Sequence, residues 1–337
     1  MRLAALSASR QAPRGRFNGA VHSVFRQACN IRLDDGRMLA LLAPHLGNVP
    51  HGVRLDVPVG FAFTDHLTLG RVGCRADVLR VAGGELSIDL GTAQPWRGEL
   101  LSAAVDLAIP QVTRAWRAAW HALQHGRRSA DHADAEWLTR AVDRQGERLA
   151  RATCALQVDQ AASALDCLIG RGPGLTPSGD DRIVGFLAGL WSTAGDQPAR
   201  RAFLDALGRA VAAAAATTSD VSRVYLTHAT QGRFAEPLTT LARRIGDGAD
   251  CGTVEHATVT ALRVGHTSGS DGVFGLLFGL AAWAPQSVLP GLARSKWRTA
   301  GPAVHNLFPR DHRPGKGYEM PEPTCKAVGY GSGASRR

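Results

Sequence analysis

Apolar and polar residues alternate along the first hundred residues in runs of four to eight, the pattern of half-buried strands. "VFRQACNIRL", then "DDG", then "RMLALLA" predicts a hairpin, because Asp-Gly supplies the positive φ of a tight turn between two such runs. "RLDVPVGFAF" and "ADVLRVAGGELSIDLG" continue the pattern, the latter with a turn at Gly83-Gly84. From about residue 99 the apolar positions fall three and four apart in Ala/Leu/Arg-rich segments. Helices are expected at 99–125, 134–169, 179–193, 198–217, 219–230, 235–246, 252–264 and 270–284. Trp116 and Trp120 share one face, as do Val254, Thr258, Ala261 and Leu262, with Gly265 as a C-cap.

Strands and helices are thus segregated along the chain, which predicts an α+β protein. The expected parts are a small, mostly antiparallel β domain (1–98), a mainly helical domain (99–285) and a basic tail (286–337). The tail, rich in Pro, Gly and Arg, loses all periodicity and is expected to be disordered or loosely attached.

The helical part contains a repeat. "SGDDRIVGFLAGL" from Ser178 and "SGSDGVFGLLFGL" from Ser268 align without a gap. Both fit S-G-x-D-x-x-x-G-x-L-x-G-L. A hydroxyl and a carboxylate lie where each helix begins, suited to the unpaired N–H groups of a first turn. Glycines four apart lie on one face and permit close approach of another backbone. Two such units packed through their Gly faces would bring two helix N-termini together, a place that favours an anion.

The candidate substrate-binding residues are therefore Gly174, Thr176, Ser178, Gly179, Thr267, Ser268 and Gly269. Arg223 and Arg233, from the segment between the repeats, are the cations suited to bidentate contact with a carboxylate or phosphate. The candidate catalytic residues are Asp180, Asp181, Asp271 and His266, the histidine as a general acid or base. Three roles stay open for the carboxylates: capping a helix, orienting substrate or a neighbouring group, and holding a Mg²⁺ that bridges to the substrate. Tyr225 and His228 are further polar groups on a helix of otherwise ordinary periodicity. No Gly-Lys-Ser/Thr follows the Gly-rich segment and no G-x-G-x-x-G follows a strand, so those routes to nucleotide binding are not expected.

The formal charge of +10 raises the question of nucleic acid. From Arg294 onward there are nine Lys/Arg and three Asp/Glu, so the tail holds six of the ten net charges. The body's arginines are interspersed with acids, and neither nucleic acid nor membrane is expected as a partner. The six cysteines form no C-x-x-C pair and the start carries no signal-peptide pattern, which predicts a cytoplasmic protein.

"LIGRGPGLTPSGDDRIVGFLAGL", "SRVYLTHATQGRFAEPL" and "VGHTSGSDGVFGLLFGL" resemble, in this order, the signature stretches of a bacterial domain-of-unknown-function family. That family includes the AllH-type subunit of oxamate carbamoyltransferase, from anaerobic allantoin degradation. The resemblance covers roughly residues 15 to 285. It implies transfer of a carbamoyl group between oxalurate and phosphate, giving carbamoyl phosphate and oxamate. It also implies FdrA-like and AllG-like partner subunits and a small anionic substrate. Arg171 and Arg182-Ile183 depart from the apolar residues expected beside the signature. Two rival readings stand beside this one: a non-catalytic structural subunit, and an unrelated phosphate- or carboxylate-binding enzyme with Mg²⁺ as candidate cofactor.

Overall fold

The computed structural model describes residues 1–81, 86–100, 105–128 and 136–284. The expected turn at Gly83-Gly84 and the expected basic tail lie outside the described residues. Among the described residues nine strands come first: β1 Arg2–Ser9, β2 Phe17–Val24, β3 Ala28–Leu33, β4 Met38–Leu42, β5 Gly52–Asp56, β6 Arg71–Arg75, β7 Val78–Val81, β8 Ser87–Asp89 and β9 Gln94–Trp96. Among the same described residues nine α-helices follow: α1 Pro110–Arg128, α2 Glu136–Cys154, α3 Val158–Asp166, α4 Ser178–Thr193, α5 Pro198–Ala214, α6 Asp220–Thr230, α7 Glu236–Gly246, α8 Cys251–Leu262 and α9 Ser268–Ala281. Strands and helices belong to one compact unit.

The expected small antiparallel β domain is corrected to a closed barrel of mixed strand direction. The strand order β5-β4-β3-β2-β6-β7-β8-β1 closes on itself because β1 also pairs with β5. β1 runs antiparallel to β5 but parallel to β8 and β9, and β4 runs parallel to β5. The β3–β4 hairpin at Asp34-Asp35-Gly36 is antiparallel. Alternation identifies strands but carries no direction. Closure depends on β1 reaching strands about fifty and more than eighty residues later in the chain. Closure removes the exposed edges that an open sheet would present.

Two helix expectations also change. The segment 134–169 is divided into α2 and α3 at Leu156, whose φ of 54° no helix interior accommodates. The helix expected from residue 99 starts at Pro110, a proline suited to the first helical position. Residues 98–100 instead run extended beside the α6–α7 turn, with Phe234 N–H donating to Gly98 C=O and Leu100 N–H to Gly232 C=O.

The barrel interior is filled by Ile31, Leu39, Leu41, Leu55, Phe63, Leu79 and Ile88. A second core surrounds α4 and α9 and includes Phe186, Leu190, Leu277 and Trp116. Strand β4 is buried on both faces. Its Leu39 and Leu41 point into the barrel, while Ala40 and Leu42 pack with Val49, Tyr225 and Ala235 in a seam against the helices. That double burial explains the unbroken apolar run "MLALL".

Candidate functional site

The helices that start at Ser178 and Ser268 lie backbone to backbone. A Cβ on Gly185 would stand 2.0 Å from the Gly272 carbonyl, and one on Gly275 would stand 2.1 Å from the Arg182 carbonyl. This contact brings the two entry loops together, and the hydroxyls of Thr176 and Ser268 share a 2.8 Å hydrogen bond across them. The α6 start joins the same place: the Ser219 hydroxyl donates to the Leu175 carbonyl and accepts from Ser222 N–H at 3.0 Å.

The three candidate carboxylates occupy different environments. Asp180 is fully buried and fully engaged, accepting from Gly170 N–H at 2.8 Å, Thr218 Oγ1 at 2.5 Å and Ser222 Oγ at 2.7 Å. It ties the Gly-rich loop to the start of α6, a structural role. Asp271 pairs with Arg182, Nε to Oδ1 at 2.9 Å, with side chains only 7% and 4% exposed. The Arg182 guanidinium also lies over the Phe274 ring, 4.9 Å from its centroid.

Asp181 is the exception. By the repeat it corresponds to Asp271, but glycine stands at 272 where arginine stands at 182. Its Oδ2 is buried with no hydrogen-bond partner. Burial pushes the carboxyl well above the usual carboxylate range, and the neighbouring charges of Asp271 and Asp180 push it further. The Ser268 and Thr176 hydroxyls oppose that rise. A carboxyl held this way is suited to carry a proton and donate it.

The remaining sequence candidates are dispersed. Gly179 N–H donates to the Arg171 carbonyl and Gly269 N–H to the Val264 carbonyl, so those two amides are already engaged within the chain. Ser178 and Thr267 are half-buried at the two helix starts, and Gly174 is exposed in the loop. His266 is exposed ahead of α9. Arg223 is held by Asp220 at 3.0 Å and by the Ala215 carbonyl. Arg233 donates to Gln231, while its buried Nε has no hydrogen-bond partner and lies 4.0 Å from Glu99.

Mg²⁺ prefers an octahedral oxygen shell supplied by carboxylates and water. With Asp180 spent on the loop and Asp271 on Arg182, these carboxylates do not fit that requirement. Among the described residues no group of three or more His, Cys, Asp and Glu is placed to hold a metal ion. No described helix is long and apolar enough to cross a membrane.

Spacing assigns Tyr225 and His228 no role, and nothing in the sequence marks His51. The structure brings all three together at the seam. His51, just ahead of β5, is 3% exposed. Its ring meets Tyr225 edge-on at 4.8 Å and stacks on His228 at 5.7 Å. Burial holds His51 down to about 3 and His228 to about 4, each helped by a neighbour, His228 for the first and Arg233 for the second. Tyr225 is raised by burial and by the charge of Asp181, which links the seam to the loops. Only the i, i+3 spacing of Tyr225 and His228 on α6 hinted at this cluster. Beside it an open groove of about 590 Å³ is lined by Arg54, Glu236, Arg244, Thr253 and His256, none of them picked out from the sequence.

No solved structure matches the chain. The AllH family N-terminal domain matches residues 3–95, nearly all of the barrel from β1 to β8 and most of β9. The family described as oxamate carbamoyltransferase subunit AllH matches residues 168–280, from the Gly-rich loop to the end of α9. With the barrel and the paired helix starts both matched in chain order, the protein belongs to the AllH family.

Proposed function

We propose that this chain is a subunit of a carbamoyltransferase of the oxamate carbamoyltransferase type, and that the joined starts of α4 and α9 bind its small anionic substrate, such as carbamoyl phosphate or oxalurate. The observation that carries the reading is the Thr176–Ser268 hydrogen bond, which places two helix N-termini and their hydroxyls at one point. The buried, unpartnered Oδ2 of Asp181 at that point supplies the chemistry. In carbamoyl transfer to phosphate, a phosphate oxygen forms a bond to the carbamoyl carbon and the C–N bond to oxamate breaks. The departing nitrogen takes up a proton, which Asp181 delivers from its protonated carboxyl and regains from the attacking hydrogen phosphate, so that the carboxyl ends as it began. The hydroxyls meet the charge that develops on the carbamoyl oxygen. FdrA-like and AllG-like subunits would complete the assembly, as the family's description as a subunit suggests.

The test is calorimetric titration of the full chain with phosphate and with carbamoyl phosphate, alongside Ser268→Ala and Asp180→Asn. Ser268→Ala should weaken binding about tenfold through loss of one hydroxyl to a charged ligand. Asp180→Asn should lower thermal stability more than affinity. Absence of binding by the wild-type chain would overturn the reading and leave the rival one, a structural subunit in which the Gly-Asp helix starts only build the fold.

A further inference from the structure

We propose that the groove between the barrel and the α7–α8 pair is a docking site for an acidic segment of a partner chain, whose carboxylates are taken by Arg54 and Arg244. The family is described as an enzyme subunit, so it works beside other chains. The proposal says where one of them attaches and by what chemistry, and it depends neither on the helix-start site nor on a particular reaction.

The groove, of about 590 Å³, is walled by residues 44–47 and β5 on the barrel side and by α7 and α8 on the other. Arg54 of β5 lines it. Polar groups withdrawn from water normally find hydrogen-bond partners. The Arg54 side chain is only 30% exposed, yet among the described residues its guanidinium makes no hydrogen bond, and its Nε is buried without a partner. Its one ion-pair partner there is Glu236, with Oε2 standing 3.9 Å from Nη1. That oxygen is committed elsewhere, accepting from Asn48 N–H at 2.9 Å and from Asn48 Nδ2 at 2.7 Å. Glu236 therefore ties the barrel loop to α7 and offsets the charge of Arg54 only in part.

Arg244 lines the same groove two turns beyond Glu236 on α7, about 12 Å further by helical rise. It is exposed and pairs with no carboxylate among the described residues. Thr240, midway between on α7, and His256 of α8 add polar groups to the groove. Two cations rooted this far apart match carboxylates about four residues apart on an extended peptide, at about 3.3 Å per residue. One small anion does not span them. Sites for small ligands also enclose about 70–90% of the ligand surface, which an open groove does not. A guanidinium takes a carboxylate through paired N–H donors, and the formal charge of +10 draws an acidic partner toward the chain.

The probe is a fluorescein-labelled peptide, Glu-Gly-Ser-Gly-Glu, capped at both ends, with a counterpart carrying glutamine for glutamate. Anisotropy is followed as the full chain is added. The acidic peptide should bind at least about tenfold more tightly than its counterpart, and Arg54→Gln and Arg244→Gln should each weaken it about tenfold. Arg209→Gln, which removes the same charge from the exposed face of α5, should leave binding unchanged. Because Arg244 is exposed, its variant decides the matter even where Arg54→Gln fails to fold. No preference for the acidic peptide refutes the proposal, and so does an equal loss in Arg209→Gln, the sign of general attraction to a basic chain. Phosphate binding that needs both arginines, without peptide binding, would give the groove to a free anion. Self-association in sedimentation that Arg244→Gln abolishes would give it to a second copy, and either result overturns the partner segment. Failure of Ser268-dependent phosphate binding sinks the helix-start site alone.

Discussion

Replacing Arg182 by methionine removes a charge from an interior where its partner cannot reach water. The Arg182 and Asp271 side chains are 4% and 7% exposed, and the contact is 2.9 Å. Methionine retains much of the packing against Phe274 but leaves the Asp271 carboxylate without its cation. Breaking one side of a buried pair costs about 3–5 kcal/mol. Asp271 lies in the first turn of α9, whose dipole offsets up to about 2 kcal/mol of this at best. A net loss of about 2–4 kcal/mol is expected, lowering Tm by about 4–7 °C for a body of this size. Arg182→Met/Asp271→Leu removes both desolvation costs and should recover most of the loss, so the double-mutant cycle gives a coupling of at least about 2 kcal/mol. Urea denaturation and calorimetry of the full chain measure it. A single-variant loss below about 1 kcal/mol, the value of an exposed pair, or strict additivity in the cycle, would refute the reasoning.

Gly275→Ala should destabilise by at least about 1–3 kcal/mol in denaturation, because its Cβ would meet backbone, the Arg182 carbonyl at 2.1 Å, which no side-chain rotation relieves. Gly73→Ala, with only a side-chain contact at 3.6 Å, should stay within about 0.5 kcal/mol. Stability should also fall with acid between pH 6.5 and 5. His51 and His228 are held near 3 and 4 in the folded chain, so the unfolded chain binds more protons in that window. Each histidine contributes a slope of up to about 1.4 kcal/mol per pH unit, absent above its unfolded value. The raised Asp181 carboxyl works in the opposite sense, losing stability as pH rises, so the informative quantity is wild type minus His51→Phe, measured by thermal melts across the window. A difference that does not change with pH would show that His51 titrates normally.

Much was legible along the chain. The 3.6-residue period placed α4 through α9 to within a few residues, because each buries one stripe on a neighbour and the stripe is written locally. The repeat beginning at Ser178 and Ser268 could be read because its glycines and carboxylates recur in register. The break at Leu156 could not, since a left-handed residue without glycine leaves no compositional mark. Arg182 stood out only as a departure from an apolar flank. Its partner, Asp271, lies 89 residues away and becomes visible as such only when the two helices touch.

The sequence by itself determined that a strand-rich part precedes a helical one, where α4 to α9 fall, where the two loop-to-helix units begin, and the family to which the chain belongs. Only the tertiary structure decided that the strands close into a barrel, because closure depends on β1 pairing with β5 and β8, and period-two alternation specifies a face but no partner. Only it distinguished three aspartates of like appearance: Asp180 satisfied by three donors, Asp271 neutralised by Arg182, and Asp181 buried without a partner on Oδ2. A carboxyl's chemistry is set by the charges and donors within a few ångströms of it, and those come from loops and helices far apart in sequence. His51 joins Tyr225 and His228 for the same reason: the barrel and the helices meet along β4, and the seam exists in neither alone.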